Sequence, residues 1–470
     1  MSNLLTTDTR ARALMQEGLL EQLFQDPLFP ELQFRAEYKR ETWKDRSVEA
    51  IRTRTGVITP DLRAIQAMND PLIGTYDVEQ WYVRIAQRGL TVQTDLVLDG
   101  LALASLLARD LHTLGLNAGQ SMNRLARFPL YNAALYGQAR IDTVGGAGVA
   151  KHVTRINGFS EAFNVTSRKW EAVSVANPVP ARVWNTVTLA WDTVSVTACV
   201  PDTAGDEVGP GTLTLAGAYV HVQYDNIVAL SASYIVRSGG GNTGIEAIGA
   251  LDALKLSDIR QGVARLKSLN VPRFEDGYYH AHLSPVAVTQ LRNDAEFRLL
   301  YRGTGMEQVK DNPYFSGIVA VIEGCVIFEN NEAAVPDTIP ATYGLQGDNL
   351  AAEAYNSATV PIGYALVIGK EAGIEYAKDA IGISEAGITG KIGNWNVTNE
   401  GAAIDLGGIQ MILRAPIDAL MRVVKSSWSF LGAHVVAADY LSARQGSPYA
   451  DIATGRSRFK RLVTIEHYGA

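Results

Sequence analysis

The longest run of regularly spaced apolar residues lies between residues 98 and 138. Its apolar positions advance by steps of three or four, so they share one face of an α-helix. They are Leu103, Leu107, Leu111, Leu114, Ala118, Met122 and Leu125. Polar residues fall mostly on the other side, among them Arg109, Asn123 and Arg127. The pattern predicts a helix of about 43 Å from Gly100 to Phe128, long for a globular protein.

Three residues interrupt this predicted helix. Pro129 has no N–H group, so we expect the main run to kink or end there. Gly115 and Gly119 lie in the interior, where glycine is costly relative to alanine. We therefore predict that the helix bends at these glycines or meets another backbone closely. Strand-like sequence on both sides favours a mixed α+β fold over a helical bundle.

Before this helix the pattern alternates, as in strands. Residues 1–34 are predicted to be an N-terminal arm in which Pro27 and Pro30 prevent a helix from continuing. From Phe34 to Ile58 the sequence is strand-like, with Arg52 and Arg54 on one side and Ile51 and Thr53 on the other. A second strand is predicted over residues 78–87, where Trp81, Val83 and Ile85 alternate with polar residues and Tyr82.

The two strands are separated by residues 59–76, too many for a tight turn, so residues 35–97 are predicted to form an extended hairpin. A protruding hairpin cannot bury both faces on its own domain, which suggests that another molecule covers it, although enzymes also use such hairpins as lids. The predicted contact residues are Pro60, Leu62, Arg63, Ile65, Met68, Pro71, Leu72, Ile73 and Tyr76.

After the helix, predicted over 98–140, the composition changes. Residues 141–240 are rich in Val, Thr, Ala and Gly, with alternating runs separated by turn signals, and they predict an inserted all-β domain. Glycines at both ends are predicted to act as hinges: Gly145, Gly146, Gly239, Gly240 and Gly241. Residues 241–470 return to a mixed pattern that includes a helix with apolar positions at Leu256, Ile259, Val263, Leu266 and Leu269.

Composition narrows the possible functions. The chain has 470 residues, 19% of them charged, and a formal net charge of −7, which does not favour general nucleic-acid binding. Cys199 and Cys325 lie far apart, so neither a disulfide framework nor a zinc site is indicated. No signal peptide and no membrane-spanning segment are predicted, and we expect synthesis in a cytoplasm.

Few residues suggest chemistry. The run from Gly239 to Gly244 matches G-x-G-x-x-G after a strand, but the acidic residue expected about twenty positions later is missing, so a hinge is the better interpretation than a dinucleotide site. His280 and His282 share one side of a predicted strand, but no third metal ligand stands at a recognisable spacing. We predict no catalytic residue, no metal and no cofactor.

The order of arm, long hairpin, long helix and mixed domain resembles the major capsid proteins of tailed bacteriophages (Caudoviricetes), whose fold was first associated with the Hong Kong ninety-seven phage. The hairpin is TGVITPDLRAIQAMNDPLIGTYDVEQWYVRIAQRG and the helix is LALASLLARDLHTLGLNAGQSMNRLA. YYHAHLSPVAVTQLR and NPYFSGIVAVIEGCVIFENN look like segments of the capsid proteins related to the main head protein of coliphage N-four.

The resemblance implies a non-enzymatic protein of the virion. It implies an extended loop over a neighbouring subunit, a spine helix in a peripheral domain, and an axial domain within residues 241–470. The partners implied are further copies of the chain, in pentamers and hexamers of an icosahedral shell around double-stranded DNA, together with a separate scaffolding protein, a portal and a decoration protein, and no membrane. Because residues 59–76 contain no lysine, we expect a non-covalent shell.

Three other functions stay open at this point. The chain could be another virion or tail component, an encapsulin-like compartment shell, or an oxidoreductase that uses the Gly239–Gly244 loop. The hairpin followed directly by the long helix favours the capsid shell.

Overall fold

The computed structural model describes residues 18–55, 78–95, 103–143, 146–164, 166–167, 169–205, 208–230, 232–239, 244–303, 318–331, 333, 357–378, 390–392, 394–397, 401–414, 423–437 and 461–469. Within these residues the helices are α1 (Leu19–Glu31), α2 (Gln33–Ala36), α3 (Leu103–Ala134), α4 (Leu256–Ser268), α5 (Pro285–Asn293) and α6 (Ala295–Gly303).

The strands of the first half of the chain are β1 (Tyr38–Thr42), β2 (Glu49–Thr55), β3 (Val78–Arg84), β4 (Ala86–Asp95), β5 (Gln138–Arg140), β6 (Gly146–Val153), β7 (Glu161–Asn164), β8 (Lys169–Ala172), β9 (Val179–Asn185), β10 (Ala190–Pro201), β11 (Gly211–His221), β12 (Asn226–Ala229) and β13 (Ile235–Arg237). Those of the second half are β14 (Tyr279–Leu283), β15 (Ile318–Ile322), β16 (Cys325–Glu329), β17 (Ile362–Ile368), β18 (Gly373–Ala377), β19 (Gly390–Ile392), β20 (Trp395–Val397), β21 (Gly401–Leu406), β22 (Ile409–Arg414), β23 (Val423–Val436) and β24 (Leu462–Tyr468).

The chain divides into two compact units. The first comprises Met1–Ala50, Tyr82–Arg127 and Gly373–Val435, and the second comprises Ile51–Trp81, Phe128–Ala372 and Val436–Ala470. Both units draw on distant parts of the sequence.

The first unit is built on an eight-stranded sheet in the order β1-β18-β23-β22-β21-β20-β19, with β4 also paired to β23. Along β23 every second residue from Val424 to Phe430 is buried, as expected of a strand with one face in a core. That core joins the sheet to α1 and to the first part of α3. It includes Leu20, Phe24, Leu28, Leu111, Leu114, Ala118, Met122, Trp395, Met411, Leu413, Trp428 and Phe430.

The long helix α3 ends before the end of the predicted range of 98–140, and residues 98–102 of that range lie outside the described residues. It ends at Ala134, and Gly137 then takes the left-handed conformation (φ +72°) in which glycine commonly terminates helices. Residues 138–140 form β5, so their assignment to the helix was wrong. Pro129 lies inside α3, so of the two expected outcomes, a kink or an end, the helix does not end there.

The two glycines of α3 face the backbone of α1. A Cβ atom on Gly115 would collide with the carbonyl oxygen of Phe24, and one on Gly119 would lie 2.8 Å from that of Leu28. The prediction that these glycines mark a close approach of another backbone is therefore confirmed.

Helix α1 contains both Pro27 and Pro30, so the prediction that they prevent a helix was wrong. Tertiary packing outweighs the lost hydrogen bonds here, because Pro27 is buried and its Cγ lies 2.9 Å from where a Cβ of Gly115 would stand. Pro30 falls in the last turn, one residue before the helix ends.

The extended hairpin is narrower than the predicted 35–97. Strands β2 and β3 alone form a two-stranded sheet, which we call the ribbon. β1 instead pairs in parallel with β18, and β4 pairs antiparallel with β23. The strand predicted from Phe34 to Ile58 is in fact α2, β1 and β2, because β1 finds its partner more than three hundred residues later.

In the second unit, six antiparallel strands form a sheet in the order β5-β12-β9-β10-β11-β6. Its two edges meet at a bridge between Ile141 and Val153, so the sheet closes around its own core. That core includes Ile141, Val153, Phe159, Val183, Val196, Leu213 and Ile227. The sheet begins at Gln138, three residues before the predicted start of the inserted domain.

Two other predictions about this region need correction. β13 lies within the predicted 141–240 but pairs with β24 of the next sheet. Gly146 is the first residue of β6 and pairs with His221, so it is a strand residue and not a hinge.

The remaining sheet has the order β13-β24-β17-β14-β16-β15 and packs against α4, α5 and α6. The predicted apolar positions of α4 are confirmed: Leu256, Ile259, Val263 and Leu266 are buried and Leu269 packs against them. Ser284 caps α5, since its Oγ accepts a hydrogen bond of 3.2 Å from the N–H of Ala287.

Candidate assembly surface

The ribbon has one buried and one exposed face. Trp81 and Val83 are buried, whereas the alternate residue Tyr82 is 56% exposed. On the other strand Ile51 is 69% exposed, while Arg54 turns toward Trp81 with its guanidinium carbon 5.6 Å from the ring centroid. The alternation predicted for β2 and β3 is therefore confirmed, and it leaves a large aliphatic and a large aromatic side chain in solvent.

The buried face of the ribbon is anchored by an ion-pair cluster in the second unit. Arg54 donates to the carbonyl oxygen of Glu371 at 3.4 Å, and its Nη1 lies 3.9 Å from the Glu371 carboxylate. Arg461 binds that carboxylate at 3.3 Å and the carbonyl oxygen of Lys370 at 3.2 Å. The carboxylate of Glu371 thus holds two cations, one from the ribbon and one from the residue before β24.

A fully buried ion pair fixes the segment that leads into the ribbon. Arg35 of α2 donates from Nε and Nη2 to the two carboxylate oxygens of Glu375, at 2.7 and 2.6 Å, and both side chains are buried. Nε2 of His434 lies 3.4 Å from the same carboxylate, and the His434 ring packs edge-on against Tyr38 of β1.

The electrostatics of this cluster favour a carboxylate and a neutral imidazole. Burial alone would raise the pKa of Glu375, but hydrogen bonds from His434 and Arg35 and the charge of Arg35 outweigh it and bring the pKa to about 2. Burial lowers the pKa of His434, and Glu375 only partly opposes that effect because Arg35 and Arg88 are nearby. The cluster therefore fastens α2 and β1 to β18 and β23 through one charged pair.

The residues predicted to contact another subunit, Pro60 to Tyr76, lie outside the described residues. Of the predicted spine residues, Leu111, Leu114 and Met122 are buried, Leu125 is half-buried, and Leu103 and Leu107 belong to α3. Gly239 lies in a turn with φ +94°, and the other predicted hinges Gly145, Gly240 and Gly241 lie outside the described residues. The roles given to these residues stay predictions.

The histidines considered as metal ligands have other partners. His280 and His282 share a face of β14, where His280 contacts Asp276 at 2.9 Å and stacks on Phe274, and His282 stacks on Phe328. Among the described residues no group of three metal-ligating side chains occurs. The side chains of this face form an aromatic ladder.

The glycine loop does not have the geometry of a dinucleotide site. Gly244 is extended (φ −155°) and a Cβ there would collide with the ring of Trp191. A single 3-10 turn, Ile245–Ala247, follows, and the next α-helix starts only at Leu256. No α-helix of the described residues begins where a pyrophosphate would need it.

Sequence reasoning missed the Arg35–Glu375–His434 cluster altogether. Arg35 and Glu375 are 340 positions apart. Nothing in either local sequence marks them as partners, and each looks like an ordinary surface charge. The same holds for Asn123, which was assigned to the polar side of α3 but is buried and accepts a hydrogen bond of 2.8 Å from the N–H of Phe34.

Among the helices in the described part of the chain, none is both long enough and apolar enough to span a bilayer.

Comparison with known proteins gives structural similarity without sequence similarity. No protein-family model matches the chain, and no curated protein matches it. The capsid of Ralstonia phage GP4 is similar with 12% identity and a TM-score of 0.47, over 92% of this chain and 87% of that one. The head of Helicobacter pylori bacteriophage KHP40 shows 9% identity and a TM-score of 0.43, over 92% and 87%. The capsid of cyanophage P-SCSP1u shows 12% identity and a TM-score of 0.42, over 92% of this chain and 86% of that one. At these identities and TM-scores the similarity by itself carries no function to this chain.

Proposed function

We propose that the chain is a major capsid protein that self-assembles into the icosahedral shell around the double-stranded DNA genome of a tailed phage. The observation that supports it best is the ribbon, which is anchored on one face and presents Ile51 and Tyr82 to solvent on the other. The role is structural, and we assign no reaction to the chain.

The ribbon favours assembly because leaving its apolar side chains uncovered in water costs free energy. A two-stranded sheet is only marginally stable by itself, and exposed apolar surface is unfavourable in water. Covering a large apolar side chain is worth roughly 1.5–3 kcal/mol. In a symmetric shell every copy repeats this contact, so a modest gain per subunit favours assembly strongly.

The resemblance of the sequence to tailed-phage major capsid proteins supports further details of the assembly. The subunits form pentamers and hexamers held by non-covalent contacts, and the hairpin tip at residues 60–76 lies over a neighbouring subunit. A scaffolding protein, a portal and a decoration protein are the expected partners. The chain is made in the host cytoplasm and ends in the virion, and it is nearest to the capsid proteins related to the main head protein of coliphage N-four.

Electron microscopy of the purified chain tests the proposal. We expect closed shells or ring-shaped capsomers. Replacing Ile51→Ser and Tyr82→Ser together should leave soluble subunits that fail to close, because the exposed face of the ribbon loses its apolar area. Leu251→Ser is the matched control, since Leu251 is 91% exposed but belongs to the segment before α4 and not to the ribbon, and shells should form normally.

Deleting residues 60–75 should give the same failure to close. Normal shells from the ribbon variant and from the deletion would show that the hairpin has been misassigned, whereas a chain that stays monomeric at high concentration would contradict the proposal. The contents of shells recovered from a phage infection separate the remaining alternative, because an encapsulin-like compartment would hold protein cargo in place of DNA.

A further inference from the structure

Strand β4 has an open edge. Among the described strands its single hydrogen-bonded neighbour is β23, over the register from Ala86 opposite Gly432 to Asp95 opposite Val423. Residues 86–91 are all exposed, and Leu90 is 45% exposed although it lies on the face of the sheet that carries the core. In an antiparallel pair about half of the N–H and C=O groups of an edge strand point away from its neighbour.

This edge lacks the features that normally prevent a further strand from adding. Natural edge strands are kept short, or carry proline, a bulge or several charges. β4 has ten residues, no proline and no break in its register with β23, and the one charge between residues 86 and 94 is that of Arg88. The strand is therefore suited to main-chain pairing with an extended segment of another chain.

We propose that β4 pairs antiparallel with β4 of a second copy of the chain, about a two-fold axis at Thr91. The second copy rests on the proposed function. β4 follows β3 of the ribbon after Ile85 alone, so the open edge is continuous in the chain with the ribbon that the proposed function places against another copy. A strand that pairs with the same strand of a second copy also requires no other protein.

The side chains select the register. With Thr91 on the axis, Leu90 lies opposite the partner's Val92 on the core side of both sheets, and the two cover each other. Arg88 then lies opposite the partner's Thr94. Moving the axis to Leu90 would set Arg88 opposite the partner's Val92, which places a charge against an apolar side chain. An axis between two residues would join the core face of one sheet to the outer face of the other.

The pairing is a supporting contact within a larger assembly. A stable interface buries roughly 800 Å² per partner, more than a single pair of strands supplies. The contact is therefore weak between free subunits and becomes firm where other contacts hold the two copies together.

A disulfide test measures this contact directly. In a chain with Cys199→Ser, the variant Thr91→Cys should form disulfide-linked dimers on oxidation, because residues facing each other across a two-fold axis have Cα atoms about 4.5–5.5 Å apart. Cys325 is buried and stays unreactive. The control is Gln93→Cys in the same background, since it lies on the same face but four positions from its own counterpart, about 13 Å away. We expect at least tenfold more dimer from Thr91→Cys.

The cross-link is measured on concentrated free protein and on assembled particles. Equal or negligible dimer from the two variants in both samples would overturn the inference. Particles without the cross-link would overturn the β4 pairing and leave the proposed function standing. Cross-linked dimers without particles would support the β4 pairing and contradict the proposed function. If Thr91→Cys fails to fold, a mixture of Leu90→Cys and Val92→Cys chains replaces it, and mixed dimers support the same register while their absence overturns it.

Discussion

Gly119 of α3 lies so close to Leu28 of α1 that a Cβ atom on the glycine would stand 2.8 Å from the leucine carbonyl oxygen. Gly115, one turn earlier, meets Phe24 more closely still. Two glycines four positions apart thus let two helices touch through their backbones, inside the core that also holds the eight-stranded sheet.

The first prediction concerns these glycines. In an ordinary helix interior, replacing glycine by alanine stabilises by about 0.5–1 kcal/mol. Here Gly115→Ala and Gly119→Ala should instead lower the free energy of unfolding by about 1–3 kcal/mol, because the added methyl group forces α1 away. Urea denaturation followed by circular dichroism measures the change. Thr113→Ala, on the exposed side of α3, is the control, and a stabilised Gly115→Ala variant would contradict the contact.

The second prediction concerns the buried ion pair. Arg35→Met should lower the free energy of unfolding by about 3–5 kcal/mol, because it leaves the Glu375 carboxylate buried without its main partner. Adding Glu375→Gln should recover part of that loss, since the remaining group is neutral. Arg260→Met removes an exposed ion pair with Glu296 and should change stability little. Equal effects of Arg35→Met and Arg260→Met in urea titrations would count against the pair's role.

The third prediction concerns pH and His467. Burial lowers the pKa of this histidine to about 4, and the 2.6 Å hydrogen bond that its Nδ1 donates to the carbonyl oxygen of Tyr468 only partly opposes that effect. Its Nε2 has no acceptor among the described residues. A pKa that is lower in the folded than in the unfolded state gives stability above pH 6.5 that is lost as the pH falls toward 4. The loss amounts to about 3 kcal/mol.

Urea midpoints measured from pH 7.5 to 4 test this, and His467→Gln should flatten the decline over that interval. Glu375 adds its own loss only below about pH 4.5, because its folded-state pKa is about 2. An unchanged pH profile in His467→Gln would show that other groups control the acid response.

The fourth prediction concerns the anchor of the ribbon. Arg54→Ala removes the contact with Trp81 and the bonds to Glu371, and it should increase hydrogen exchange of the β2 and β3 amides about tenfold, consistent with the loss of about 1 kcal/mol. Arg84→Ala is the control within the same ribbon, since Arg84 is exposed and its pairing with Glu49 at 3.4 Å is on the surface. Slower or unchanged exchange in Arg54→Ala would show that the ribbon is held by other contacts.

What could be predicted from the sequence was local. The alternation of Trp81, Tyr82 and Val83 gave the two faces of the ribbon, and the helical spacing of Leu111, Leu114 and Met122 gave the buried side of α3. The cost of glycine in a helix was enough to predict that Gly115 meets a backbone.

What could not be predicted depended on distant partners. Local rules placed Asn123 and Arg127 on a polar surface, but both are buried, and the burial of Asn123 is compensated by a main-chain N–H that lies 89 positions away. In the same way β1 looked like part of the hairpin until its partner β18 was known. Proline rules failed at Pro27 because packing against Gly115 outweighs a lost hydrogen bond.

The parallel pairing of β1 with β18 also bears on the time at which the subunit becomes complete. Tyr38 lies opposite Gly373, and β24 at residues 462–468 stands between β13 and β17 in its sheet. Contacts so distant in sequence form slowly, because a long stretch of chain must be ordered before they are made. On the ribosome, at about 5–20 residues per second, the eight-stranded sheet stays open until residues near 436 have emerged. A nascent chain therefore lacks β23, the strand with which β4 pairs, so association between copies is postponed until synthesis is almost finished.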